Sequence, residues 1–169
     1  MEAIGPDAAA GKLLAEIRQT RPFRSVAEES MLGLLRTADE VQRRLAAVVE
    51  PDGLSVQQYN VLRILRGAGA KGLPTLDIAG RMIERTPGIT RLLDKLEVKG
   101  LVSRSRGPLD RRQVVCRITA SGLALLVRLD DPMTIAGIRA MAALDEIEQR
   151  VLIGLLDRLR SGPESPTEL

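Results

Sequence analysis

Ten basic residues stand between Arg81 and Arg117 (Arg81, Arg85, Arg91, Lys95, Lys99, Arg104, Arg106, Arg111, Arg112 and Arg117) against four acidic ones (Glu84, Asp94, Glu97 and Asp110). The rest of the chain carries fifteen basic and eighteen acidic residues. A basic middle between mildly acidic ends is the charge pattern of a chain that offers one region to a polyanion and the others to protein or solvent.

Other chemistries are excluded by what is missing. The 169 residues include no His and no Trp, one Cys, and only Phe23 and Tyr59 as aromatics. There is no imidazole base, no Cys/His zinc cluster and no intrachain disulfide, so no cofactor or metal is expected. Two aromatics cannot build the stacking platforms that hold single-stranded nucleic acid. An enzyme would have to run on carboxylates, Lys, Ser/Thr or Tyr59 alone; the carboxylates Asp94 and Glu97 lie three apart on one predicted helix, where such acids more commonly pair with lysines. Cys116, beside Val115 and Ile118 in a strand pattern, reads as an inert packing residue. Tyr59 reads as core, with lining of a ligand pocket as the alternative.

The elements that must position these residues follow from apolar spacing. Residues 8 to 19 read as a short helix ended by Thr20-Arg21-Pro22. A long amphipathic helix spans Val26 to Val49 and is stopped by Glu50-Pro51-Asp52-Gly53. Ser55 has N-cap chemistry for a helix carrying Tyr59, Leu62, Ile64 and Leu65, closed at Gly67-Ala68-Gly69. A helix pair follows, at about 75 to 82 and 87 to 99. In the second, Ile89, Leu92, Leu93 and Leu96 form a stripe that must face a core, while Gly88, Arg91, Asp94 and Lys95 lie opposite with Thr90 at the side. Thr86 is suited to cap it, Pro87 to open it and Gly100 to end it.

Beyond Gly100 the period changes. Leu101 to Arg104 and Gln113 to Ile118 read as strands of an antiparallel hairpin around the polar turn Arg106 to Arg111. Thr119 or Ser121 caps a further helix, Pro132 kinks or breaks it, and residues 133 to 143 continue it. Asp145 and Glu148 form a capping box for a last helix to Arg160. Residues 161 to 169, with two Pro and one Gly, read as a disordered tail. The fold class is mostly α with a small two- or three-stranded antiparallel hairpin. It is the winged helix-turn-helix plan, in which the second helix of the pair enters the DNA major groove and the hairpin tip the neighbouring minor groove.

The segments Leu-Pro-Thr-Leu-Asp-Ile-Ala-Gly-Arg-Met (from Leu73) and Thr-Pro-Gly-Ile-Thr-Arg-Leu-Leu-Asp-Lys-Leu-Glu-Val-Lys-Gly-Leu (from Thr86) resemble the helix-turn-helix of the multiple antibiotic resistance regulator (MarR) family. Asp110-Arg111-Arg112 is similar to that family's Asp-x-Arg wing, and Ile118-Thr119-Ala120-Ser121-Gly122 to the opening of its next helix. The likeness runs from about Ser25 to Arg160. It implies a homodimeric transcriptional regulator, a repressor released by a small aromatic or anionic effector, that binds a pseudo-palindromic double-stranded operator.

By position, Thr86, Pro87, Gly88, Thr90, Arg91 and Lys95 belong to the major-groove element. Arg111 and Arg112 belong to the wing, with Arg112 in the minor groove and Asp110 orienting it. Pro87 and Gly88 stand where Ser or Thr is common in the family, which leaves Thr90 and Arg91 to carry much of the base discrimination. The implied division is an N-terminal extension with a short helix (1–25), a dimerisation helix (26–53), a DNA-binding lobe (54–119) and C-terminal dimerisation helices (120–160). The alternative is a winged-helix protein-interaction module without specific DNA binding. With no apolar run long enough to span a bilayer and no secretory signal pattern at Met1 to Ile4, no membrane partner is expected and a cytoplasmic location is.

Overall fold

The structure is a computed structural model that describes residues 7–84, 88–106 and 113–162. The chain divides into two compact units, residues 1–44 and residues 45–169.

The first unit holds α1 (Asp7–Glu16) and most of α2 (Val26–Val49). α1 ends earlier than its composition suggests. Arg18 turns left-handed at φ +53, the Arg18 amide bonds to the Ala15 carbonyl, and the Gln19 amide bonds to the Leu14 carbonyl. These are the two hydrogen bonds of a Schellman ending, here without the usual glycine. Leu13 rests on Gly33 of α2, where a methyl would sit 3.7 Å from Leu13 Cδ2. α2 starts at Ser25, whose Oγ accepts from the Glu28 amide at 3.1 Å, while the Glu28 carboxylate accepts from the Arg24 amide at 2.6 Å. Both bonds satisfy amides that a helix start leaves without partners.

In the second unit, a 3₁₀ turn over Glu50–Asp52 and a left-handed Gly53 lead from α2 into α3 (Val56–Ala68). Ser55 and Gln58 cap α3 reciprocally, which gives the Gln58 backbone amide and its side-chain oxygen a partner each. After a second 3₁₀ turn at Gly69–Lys71 come β1 (Leu73–Pro74), α4 (Thr75–Arg81), α5 (Ile89–Val98), β2 (Val102–Arg106) and β3 (Val114–Ile118). The unit closes with α6 (Ala120–Met141) and α7 (Glu146–Ser161). Thr119 caps α6 through Gly122, and Asp145 with Glu148 forms the expected box on α7. Pro132 lies inside α6, which passes through it unbroken. The tail beyond Gly162 lies outside the described residues.

The sheet has three antiparallel strands in the order β1-β3-β2, with Leu73 opposite Cys116, and Val102 opposite Ile118. Pro74 is tolerated because β1 is an edge. Leu62 and Leu65 of α3, Ile78 of α4, Leu93 and Leu96 of α5, Val102, Cys116 and Leu126 of α6 are fully buried in one core. α3, α4, α5, the sheet and α6 are therefore seated on one continuous apolar cluster.

Gly72 lets β1 approach β3. It is left-handed at φ +66, and a Cβ there would stand 2.3 Å from the Cys116 carbonyl oxygen. Gly72→Ala is expected to destabilise the fold by about 2–3 kcal/mol, the sum of a disfavoured backbone conformation and overpacking. Denaturant unfolding at fixed protein concentration measures it, and a change under about 0.5 kcal/mol, the range of ordinary surface substitutions, would contradict the packing described.

Candidate nucleic-acid interface

α5 is built as its periodicity demands. Leu93 and Leu96 are buried, and Ile89 and Leu92 pack partly buried against the core. The opposite face leaves Thr90, Arg91 and Lys95 exposed. Arg91 and Lys95 are one helical turn apart, and among the described residues neither side chain makes a hydrogen bond or ion pair. Two unneutralised cations on one exposed helix face suit an anionic partner.

The start of α5 departs from expectation. The helix begins at Ile89, with Gly88 at the cap position in a left-handed conformation (φ +108) and no side-chain cap. The cap and first-turn places expected for Thr86 and Pro87 therefore fall further along the chain. Gly88 adopts the conformation because it has no Cβ, and its carbonyl accepts from the Leu92 amide at 3.3 Å. Thr86 and Pro87 lie outside the described residues, as do Asp110, Arg111 and Arg112 of the expected wing tip.

The segment leading to α5 is held by side chains the sequence did not single out. On α3, Asn60 Oδ1 accepts from the Ile83 amide at 3.2 Å, and Gln57 Nε2 donates to Glu84 Oε2 at 3.0 Å. Both face away from the apolar stripe of α3, so hydrophobic periodicity carried no signal for them.

Charge in the basic segment is not uniformly available. Lys99 donates to the Gly53 carbonyl at 2.5 Å. Arg117 donates from Nε to the Ala70 carbonyl at 3.1 Å and from Nη1 to Ser105 Oγ at 2.7 Å. Arg104 on β2 reaches α5 and donates to Asp94 Oδ1 at 2.6 Å and to Glu97 Oε2 at 2.5 and 2.9 Å. Asp94 and Glu97 thus pair with the wing strand rather than with lysines along their own helix. The Arg104 guanidinium holds the Glu97 carboxyl below its ordinary range, and the two acids raise the Arg104 pKa.

Cys116 is buried on β3 with its sulfur 3.8 Å from Thr75 Oγ1, and burial pushes its thiol pKa up. A protonated, enclosed thiol is unreactive, which agrees with a packing role. Tyr59 is 5% exposed in the core, with Arg63 at 6.0 Å from its ring centroid, and burial raises its hydroxyl pKa. Nearby, Arg66 of α3 makes a two-pronged pair with Asp130 of α6 at 2.8 and 3.0 Å. Among the described residues no helix is long and apolar enough to cross a membrane.

The MarR family model matches residues 54–114, the span from the start of α3 to the first residue of β3. The chain is 39% identical to a MarR transcription factor from Planctomyces limnophilus of known crystal structure, over 80% of this chain and 98% of that one, with a TM-score of 0.63. It is 25% identical to the protein in a crystal structure of an S. aureus MepR–DNA complex, over 76% and 94% of the two chains, with a TM-score of 0.69. An HTH-type transcriptional repressor of Mycobacterium tuberculosis is 28% identical over 80% of this chain and 98% of its own.

Proposed function

Because the chain belongs to the MarR family of transcriptional regulators, we propose that it is a homodimeric repressor that reads a pseudo-palindromic double-stranded operator and is released by a small aromatic or anionic effector. In this reading α2, α6 and α7 carry the dimer and residues 54–119 form the DNA lobe. α5 enters the major groove with Gly88, Thr90, Arg91 and Lys95, and Thr86 and Pro87 precede it. Arg111 and Arg112 belong to the minor groove, Arg112 oriented by Asp110. Tyr59, 5% exposed in the core, is assigned in this reading to the lining of an effector pocket. The role is regulatory rather than catalytic, and Asp94 and Glu97 are engaged by Arg104 instead of being offered to a substrate.

The observation that carries this reading is the sorting of cations on α5 and around it. Arg104, Arg117 and Lys99 are consumed inside the protein, whereas Arg91 and Lys95, on the exposed face of a helix whose other face is locked into the core, have no side-chain partner among the described residues.

The test is to recover bound fragments from a genomic library, define the preferred duplex, and measure Arg91→Ala on all its single-base variants at fixed salt. A base-reading Arg91 is expected to cost roughly 1–3 kcal/mol at one base pair. A uniform loss on every duplex assigns Arg91 to phosphate instead. Failure of the wild-type dimer to prefer any duplex would replace this reading with that of a protein-interaction module.

A further inference from the structure

A carboxylate on a DNA-reading helix repels phosphate, and α5 carries two of them, one turn apart, on the same helix as Arg91 and Lys95. Both are tied to a single guanidinium. Arg104 stands in the middle of β2, which alternates so that Val102 and Arg104 are turned inward while Ser103 and Ser105 are exposed. Its side chain is 23% exposed, against 50% for Asp94 and 40% for Glu97. From there Nη2 reaches Asp94 and both Nε and Nη2 reach Glu97. A guanidinium whose planar fork is spent on two carboxylates has little left to give a phosphate, and its geometry ties the strand to the helix at two points. The other face of the same strand is fastened as well, since Arg117 of β3 bonds Ser105 of β2 and the Ala70 carbonyl.

We propose that Arg104 is a positioning residue for operator recognition: with Asp94 and Glu97 it clamps the root of the wing to α5, so that the two DNA-reading elements meet the duplex in one fixed relation. The clamp rests on the DNA-binding reading above. Its effect is on specificity, because a wing free to swing still presents its cations to any phosphate backbone but matches a particular site less well.

The decisive variant is Asp94→Asn with Glu97→Gln, which keeps both side-chain shapes and makes each protomer two charges more positive. Affinity is measured for the preferred duplex and for an unrelated duplex of equal length, at fixed salt, with folding and dimer mass checked for every variant. The clamp predicts opposite signs. Binding to the unrelated duplex tightens, while the ratio of specific to non-specific affinity falls about tenfold, a loss in the range found when contacting charged residues are uncoupled. Arg104→Ala lowers the ratio by a similar factor, and Arg104→Lys, a point charge without the fork, restores only part of it.

Two results would overturn the clamp. One is a double variant that tightens both duplexes equally, which would make the carboxylates simple repellents. The other is an Arg104→Ala that weakens both equally and flattens the salt dependence by about one phosphate per protomer, which would make Arg104 a backbone contact. A wild-type protein that prefers no duplex would instead fail the DNA-binding reading, and the clamp with it. If Arg104→Ala does not fold, the near-isosteric double variant still decides.

Discussion

Duplex binding is expected to weaken by about a thousandfold or more when monovalent salt rises from about 50 to about 200 mM, because each phosphate neutralised releases condensed counterions. Arg91 and Lys95 of α5 have no side-chain partner among the described residues, and Arg111 and Arg112 belong to the same surface in the proposed reading. Doubled by two-fold symmetry, they engage on the order of six to eight phosphates or groove edges, enough for a loss of that size. Replacing Arg91 and Lys95 together by Ala should flatten the slope of log affinity against log salt by about 3 to 4 where both side chains meet phosphate, and by about 2 where Arg91 reads a base and Lys95 alone meets phosphate. Arg150→Ala is the control: its side chain is paired with Glu146 on α7, and it should leave the slope unchanged. Fluorescence anisotropy across a salt series reads all three proteins. A slope near zero in the wild type, or an unchanged slope in the Arg91/Lys95 variant, would remove α5 from the DNA surface.

The second large effect is on assembly. α7 is a sixteen-residue helix of which no residue is buried. Ile147, Val151, Leu155 and Leu159 nevertheless recur every four residues along it, exposed to 74, 57, 49 and 68%. A helix of that length is marginal alone in water, and an apolar stripe on it needs a covering surface. In the proposed homodimer a second copy of the chain supplies one. Val151→Lys with Leu155→Lys is expected to raise the dimer dissociation constant by about a thousandfold. Full burial of a side chain contributes about 1.5–3 kcal/mol, about half of each is still exposed on the single chain, and the interface loses each twice. Sedimentation velocity at micromolar concentration checks this. A wild-type protein that is already a folded monomer, or a double variant that remains dimeric, would show that α7 does not hold the dimer. Loss of the dimer should also abolish preference for a two-half-site duplex, linking assembly to recognition.

What the amino-acid sequence determined by itself is what depends on neighbours within a turn or two. The span Val26 to Val49, the caps at Ser55 and Asp145, and the inward stripe Ile89, Leu92, Leu93, Leu96 were all legible, and the cap of α6 was narrowed to Thr119 or Ser121, of which the fold uses Thr119. Each is governed by spacings of three or four residues or by one hydroxyl or carboxylate beside a free amide. The family likeness was legible for the same reason, its motifs being short and locally ordered.

The tertiary structure alone decided what depends on partners distant in the chain. β1 is two residues long and exists only because β3, some forty residues away, pairs with it, with Gly72 permitting the approach. α5 starts at Ile89 because Gly88 takes the left-handed turn, a choice that the favourable cap chemistry of Thr86-Pro87 pointed away from. In the charge count ten cations were equal. Folding divides them, because Lys99, Arg104 and Arg117 find oxygens on Gly53, on Asp94 and Glu97, and on Ala70 and Ser105, while Arg91 and Lys95 find none among the described residues. A side chain's charge is written in the sequence, but whether it is spent inside the protein or left for a partner is settled by which oxygen the fold brings within about 3 Å of it.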